Sequence, residues 1–158
     1  MTPFLLLVAQ IPKTPIYRHV TNVRFAYAID VPTFLVPGRE PDNGDGRAYT
    51  SRDGTIVLRV FGSRYLVVPE SETPQRLRDG FRETVAEAKR SGTVSLATLK
   101  PEFFAVSYRS RNRIVYQRTI RLIEGGLGTA ILTYPAARQR VMDPVLTRTM
   151  RSLKALKR

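Results

Sequence analysis

Thr93-Val-Ser-Leu-Ala-Thr-Leu99, Phe103-Phe-Ala-Val-Ser-Tyr-Arg109, Arg113-Ile-Val-Tyr-Gln-Arg-Thr-Ile-Arg-Leu-Ile123 and Gly128-Thr-Ala-Ile-Leu-Thr-Tyr134 follow one another, separated by Lys100-Pro101, Ser110-Arg-Asn112 and Glu124-Gly-Gly126. Each run is rich in β-branched and aromatic residues and is bounded by turn formers, so the spacing predicts four consecutive strands. Connections this short force antiparallel neighbours, because a parallel pair needs a crossover of a dozen residues or more. Within Arg113–Ile123, Ile114, Tyr116, Arg118, Ile120 and Leu122 alternate with Val115, Gln117, Thr119, Arg121 and Ile123. One face of that strand must therefore tolerate polar groups, toward water or a partner.

Upstream, Thr73-Pro74 reads as a helix start. Leu77, Phe81, Val85 and Ala88 then form one apolar stripe, and Gly92 stops the helix. Its outer face carries Arg78, Arg82, Glu83, Glu87 and Arg90, with the glutamates spaced to pair along the helix. Further upstream lie a predicted strand over Asn22–Asp30 and a turn-rich loop over 37–46. Two more strands, Arg47–Ser51 and Thr55–Phe61, are joined through Asp53-Gly54. Downstream, Asp143-Pro144 repeats the helix-start signature. Met142, Val145, Leu146, Met150, Leu153 and Leu156 make the apolar side of a last helix, whose other side is basic. The order β-β-β-α-β-β-β-β-α predicts an α+β fold: an antiparallel sheet of about six or seven strands packed with two amphipathic helices.

At 158 residues the chain suits one domain with a core of its own. We place that domain at residues 22–158 and take 1–21 as an apolar segment and linker. The run Phe4–Ala9 followed by Ile11-Pro-Lys-Thr-Pro15 has the character of an export-signal remnant, and no stretch reaches membrane-spanning length. With no cysteine, disulfides, thiolate metal sites and cysteine nucleophiles are excluded; one histidine, His19, cannot build a multi-histidine metal centre. His19 is expected to be exposed or locally hydrogen-bonded.

The net charge of +13 is uneven: residues 1–72 hold 8 basic and 7 acidic side chains, residues 73–158 hold 18 and 6. The second half thus carries a field that attracts polyanions. Of the 26 basic residues 21 are arginine, whose planar fork suits carboxylate and phosphate, although a GC-rich genome would favour arginine equally.

Phe25-Ala-Tyr-Ala-Ile-Asp-Val-Pro32, the loop Glu40-Pro-Asp-Asn-Gly-Asp-Gly46 leading to Tyr49-Thr-Ser-Arg-Asp-Gly54, and Leu132-Thr-Tyr-Pro135 followed by Asp143-Pro144 and a terminal helix together resemble the PsbP-like family of extrinsic photosystem proteins and bacterial relatives. The resemblance covers about residues 20–156. It implies an α/β/α sandwich and a non-enzymatic accessory or binding module, often exported; it does not imply service to a photosystem.

No motif carries specific chemistry. Asp42-Asn-Gly-Asp-Gly46 fails the register of a calcium loop, which would put Pro41 and Arg52 where carboxylates belong, so a turn with its own Asx hydrogen bonds is expected. Glu124-Gly-Gly-Leu-Gly128 lacks the Lys-Ser/Thr of a phosphate loop and reads as a hairpin turn. No catalytic, cofactor or metal residues are assigned. The candidate surface for an anionic partner is Arg109, Arg111, Arg113, Arg118, Arg121, Arg148, Arg151 and Lys154. Tyr108 and Tyr116 lie near it in sequence but alternate in phase with core residues. The expected function is that of a non-catalytic module docking an acidic protein, polymer or membrane surface in the bacterial periplasm or envelope. The alternative is a cytoplasmic protein contacting nucleic-acid phosphates through the Arg-rich second half.

Overall fold

The four predicted strands form one side of a seven-stranded antiparallel sheet. The computed structural model describes residues 10–64 and 73–157. The elements in chain order are β1 (Tyr17–Asn22), β2 (Tyr27–Pro32), β3 (Val36–Pro37), β4 (Gly46–Thr50), β5 (Val57–Ser63), α1 (Thr73–Ser91), β6 (Thr93–Leu99), β7 (Phe103–Ser110), β8 (Arg113–Arg121), β9 (Leu127–Pro135), α2 (Gln139–Ser152) and β10 (Lys154–Ala155). The large sheet runs β3-β4-β5-β9-β8-β7-β6, and a second, three-stranded sheet runs β1-β2-β10. Strands β6 to β9 pair as short turns demand, but β5, not β6, takes the far side of β9.

The alternation in β7 and β8 sorts the two faces. Phe104 and Val106 are buried with Leu77, Ala88 and Leu127 beneath α1. The opposite face meets α2 and the small sheet: Ile114, Ile120, Leu132 and Tyr134 pack with Tyr27, Ile29 and Val31 of β2 and with Met142, Val145 and Met150 of α2. At roughly 25 cal/mol per Å² of apolar surface removed from water, this larger cluster is the main source of stability.

Four expectations are corrected. Tyr17–Thr21, assigned to a linker, belongs to strand β1 (Tyr17–Asn22), which pairs residue by residue with β2. The strand predicted from Asn22 starts at Tyr27, because residues 23–26 turn: Asn22 Oδ1 accepts the Phe25 amide at 2.9 Å, and Ala26 takes φ 55°. The apolar alternation through Val23 and Phe25 continues the pattern without continuing the strand; Val23 is exposed. Helix α2 begins four residues before Asp143 and holds Pro144 inside it. Fully buried Met142 anchors that extra turn, so packing overrides the proline signal. The helix also ends earlier than its apolar pattern. From Leu153 the backbone is extended, and Lys154–Ala155 pair with Ala28 and Tyr27.

Two glycines are fixed by close approach. A Cβ on Gly92, between α1 and β6, would run into the Arg109 carbonyl oxygen, and one on Gly62 would run into the Phe25 ring. The turn at Gly125 and Gly126, both at φ 87°, is the expected hairpin. Among the described residues no helix is long and apolar enough to cross a membrane.

Candidate functional site

Helix α2 packs on β2 and β9, so it does not cover the end of the sheet formed by β6, β7 and β8. A cleft of about 360 Å³ remains there. Its floor is the α2-side face of those strands, with Leu96, Thr98, Phe103, Ala105, Tyr116 and Arg118; its wall is Leu146, Thr147, Met150 and Arg151 of α2. The register explains the floor. Thr98 pairs with Ala105 and Ala105 with Arg118, so one row crosses the three strands. Edge strand β6 carries a bulge between Val94 and Leu96, which brings Leu96 into phase with this face.

Arg118 is the unusual residue. Its guanidinium carbon lies 3.8 Å from the centroid of the Phe103 ring. Its Nε is buried without a hydrogen-bond partner. Burial draws its pKa below the ordinary arginine value; Tyr116 opposes this and the like charge of Arg151 adds to it. No carboxylate contributes, although a half-buried cation of this kind normally gains one. An unsatisfied buried donor costs about 1–3 kcal/mol, which the ring contact offsets by about 1 kcal/mol. The cleft therefore presents a partly desolvated cation among apolar groups, with a second arginine at its rim.

The predicted basic residues do not form one patch. Arg118 and Arg151 meet at the cleft. Arg148 borders a more open depression of about 840 Å³ on the outer side of α2, which shares Thr147 and Arg151 with the cleft. Arg148 is engaged: it pairs with Asp30 at 3.1 Å and lies over the Tyr17 ring. Lys154, expected on the helix, is exposed on β10. Arg109, Arg111 and Arg113 sit at the β7–β8 turn. There Arg109 Nε donates to the Arg111 carbonyl at 3.2 Å and Arg113 donates to the Thr55 carbonyl at 2.7 Å, so Arg113 is structural. Arg121, at the other end of β8 and about 26 Å from Arg113 at the usual strand rise, pairs with Glu102 at 3.6 Å. Tyr108 and Tyr116 face opposite sides of the sheet, the first under α1 and the second in the cleft.

Alternation in β8 put Arg118 on the same face as Ile114 and Ile120. Sequence reasoning missed that Phe103 and the α2 residues Leu146 and Met150 enclose it, since that depends on where α2 stops covering the sheet.

The buried Thr149 Oγ1 on α2 also lacks a partner, but the polar groups at the positions singled out in the sequence are satisfied locally. His19 is half-exposed and hydrogen-bonded to Asp30 at 2.9 Å. In the Asp42–Gly46 loop, Asp45 accepts from Asn43 at 2.6 Å and pairs with Arg24. Among the described residues no three His, Cys, Asp or Glu side chains come together as metal ligands. A chamber of about 150 Å³ between β2 and β4 is lined by Tyr27, Tyr49, Glu40 and Arg47. It closes on its own contacts, Glu40 with Arg47 at 2.9 Å and the Tyr27 hydroxyl donating to the Asp45 carbonyl at 3.3 Å. Burial pushes the Tyr27 phenol up to about 12.

No family model matches the chain. No curated protein matches it either. Solved structures do. The solution structure of cyanobacterial PsbP (CyanoP) from Synechocystis sp. PCC 6803 superposes with a TM-score of 0.63, over 88% of this chain and 92% of that one, at 13% identity. The Ran-binding protein Mog1p of Saccharomyces cerevisiae superposes with a TM-score of 0.58, over 91% and 97%, at 11% identity. LpqN of Mycobacterium tuberculosis, involved in cell envelope biogenesis, matches with a TM-score of 0.47 over 90% and 92%, at 14% identity. The chain has the PsbP-like fold, an α+β architecture with helices on both faces of an antiparallel sheet.

Proposed function

We propose that the chain is a non-catalytic module that docks an acidic protein where α2 meets the open end of the β6–β7–β8 face, and that it works in the bacterial cell envelope. One observation carries this: Arg118 is half-buried with no carboxylate acting on it among the described residues, and it feels the like charge of Arg151. An acidic partner supplies the missing countercharge. The excess of basic residues in the second half of the chain steers such a partner from a distance. That Mog1p, of the same fold, is a Ran-binding protein supports a protein-docking role by analogy alone. The envelope placement rests on the PsbP-like resemblance and on the apolar run Phe4–Ala9, which lies outside the described residues.

The test is binding of the purified protein to polyglutamate, single-stranded DNA and duplex DNA over a salt series. Two variants accompany it, Arg118→Gln/Arg151→Gln and Arg109→Gln/Arg111→Gln. Polyglutamate binding that weakens about tenfold in the first variant and is unchanged in the second is the expected result. Tighter binding to nucleic acid, with a steep salt slope that the second variant flattens, would overturn it in favour of phosphate recognition at the β7–β8 turn.

A further inference from the structure

We infer that the cleft between α2 and the β6–β7–β8 face is a recognition pocket for a carboxylate flanked by an apolar side chain on an extended segment of the partner protein. This rests on the proposed docking of an acidic protein and assigns it a chemistry.

Each feature of the cleft selects part of that ligand. The Phe103 ring covers one face of the Arg118 guanidinium at 3.8 Å, which leaves the in-plane N–H fork for a ligand. A fork of this kind pairs two parallel hydrogen bonds with a carboxylate. Its Nε is closed off from solvent and has no protein acceptor, so an incoming carboxylate meets the outer, Nη edge of the guanidinium and supplies the countercharge that the fold does not. Leu96, Leu146 and Met150 line the same cleft, and they favour an apolar group beside the charge. Arg151 at the rim excludes cationic ligands and adds attraction for the anion.

An extended segment fits better than a helix. Part of the floor, Leu96 and Thr98, belongs to edge strand β6, which among the described residues is paired only with β7 and carries no charged residue from Thr93 to Leu99. Edges of this kind accept added extended chain, with side chains alternating into pockets on one face.

The probes are two blocked peptides, acetyl-Gly-Leu-Asp-Leu-Gly-amide and its Asn counterpart, with polyglutamate as a charge-only control. Binding is read from the methyl resonances of Met150, Leu96 and Leu146. The Asp peptide is expected to bind at least tenfold more tightly than the Asn peptide and to shift these methyls. Arg118→Met should erase the difference and lower polyglutamate affinity only two- to threefold. Thr98→Glu, on the exposed strand and in the Arg118 row, should fill the pocket from within and block the Asp peptide without loss of stability. Equal binding of the two peptides, or an Asp preference that survives both substitutions, would falsify the pocket. If polyglutamate still binds in that case, the docking function stands and only its chemistry falls. If polyglutamate fails as well, both fall.

Discussion

The guanidinium of Arg118 stacks on the ring of Phe103 at 3.8 Å, and in the β7–β8 register Phe103 stands opposite Ile120, two residues along the strand from Arg118. The ring is the close contact that this cation makes at the cleft floor. Replacing Arg118 with methionine removes a cation–π contact of about 1 kcal/mol and relieves a buried, unsatisfied donor costing about 1–3 kcal/mol. Relief wins. Urea unfolding should show Arg118→Met more stable than the parent by about 1 kcal/mol. A loss of that size would mean that Arg118 holds the sheet together rather than waiting for a ligand.

Asp30 joins β2 to both β1 and α2. Its carboxylate is 2.9 Å from His19 Nδ1 and 3.1 Å from the Arg148 guanidinium. The hydrogen bond to His19 lowers its pKa, burial opposes this, and Arg148 lowers it further. The folded value thus lies below the unfolded one. The stability it contributes is present in full above the unfolded pKa, near ~4, and is lost as pH falls through the lower folded value. Thermal melts between pH 5 and pH 2 should fall less steeply for Asp30→Asn than for the parent. Parallel curves would remove Asp30 from the acid response.

Thr119 and Thr129 face each other across β8 and β9 with their hydroxyls 3.0 Å apart, both buried. Thr119→Val strands the partner hydroxyl and should cost about 1–2 kcal/mol. The double Val variant removes both hydroxyls and takes an acceptor only from the half-buried Gln117 amide, which donates to Thr119 Oγ1 at 3.2 Å, so it should recover most of that loss. Denaturant midpoints of the four proteins close the cycle, and simple additivity would show that the hydroxyls do not depend on each other.

Gly92 and Gly54 separate two reasons for keeping glycine. At Gly92 a methyl group would collide with the Arg109 carbonyl, so Gly92→Ala should cost about 2–3 kcal/mol. At Gly54 there is open space but φ is 74°, so Gly54→Ala should cost only about 1 kcal/mol. Chemical denaturation of the two variants tests the order.

Much of this architecture is legible in the sequence, and the exceptions have physical causes. β7 to β9 and α1 are written in local alternation and spacing, because each buries a regular face, and β6 is marked by its β-branched run and bounding turns although its bulge breaks the alternation. β1 is not: Tyr17, His19 and Thr21 alternate with Arg18 and Val20, a pattern without an apolar face, and the strand is held by pairing to β2. Asp143-Pro144 misplaces the start of α2, since the buried side chain of Met142 outweighs the proline. The site is legible only in part. Arg118 stands on a mixed face in sequence, but its lack of a carboxylate partner among the described residues depends on which strands α2 leaves bare. The eight basic residues that sequence proximity groups together are dispersed, because β8 carries Arg113 and Arg121 to opposite ends of the sheet.

Strand β10 lies on the side of β2 away from β1, so a strand formed from residues 27–32 is completed by residues 154 and 155. During synthesis the β1–β2 hairpin emerges before the large sheet and keeps an open edge while that sheet is made behind it. Only when residue 155 leaves the ribosome can that edge close. The small sheet is therefore a late event in folding, joined across a loop whose closure cost rises only slowly with its length. Until then the nascent hairpin is a surface on which chaperones, or neighbouring copies of the chain, can act.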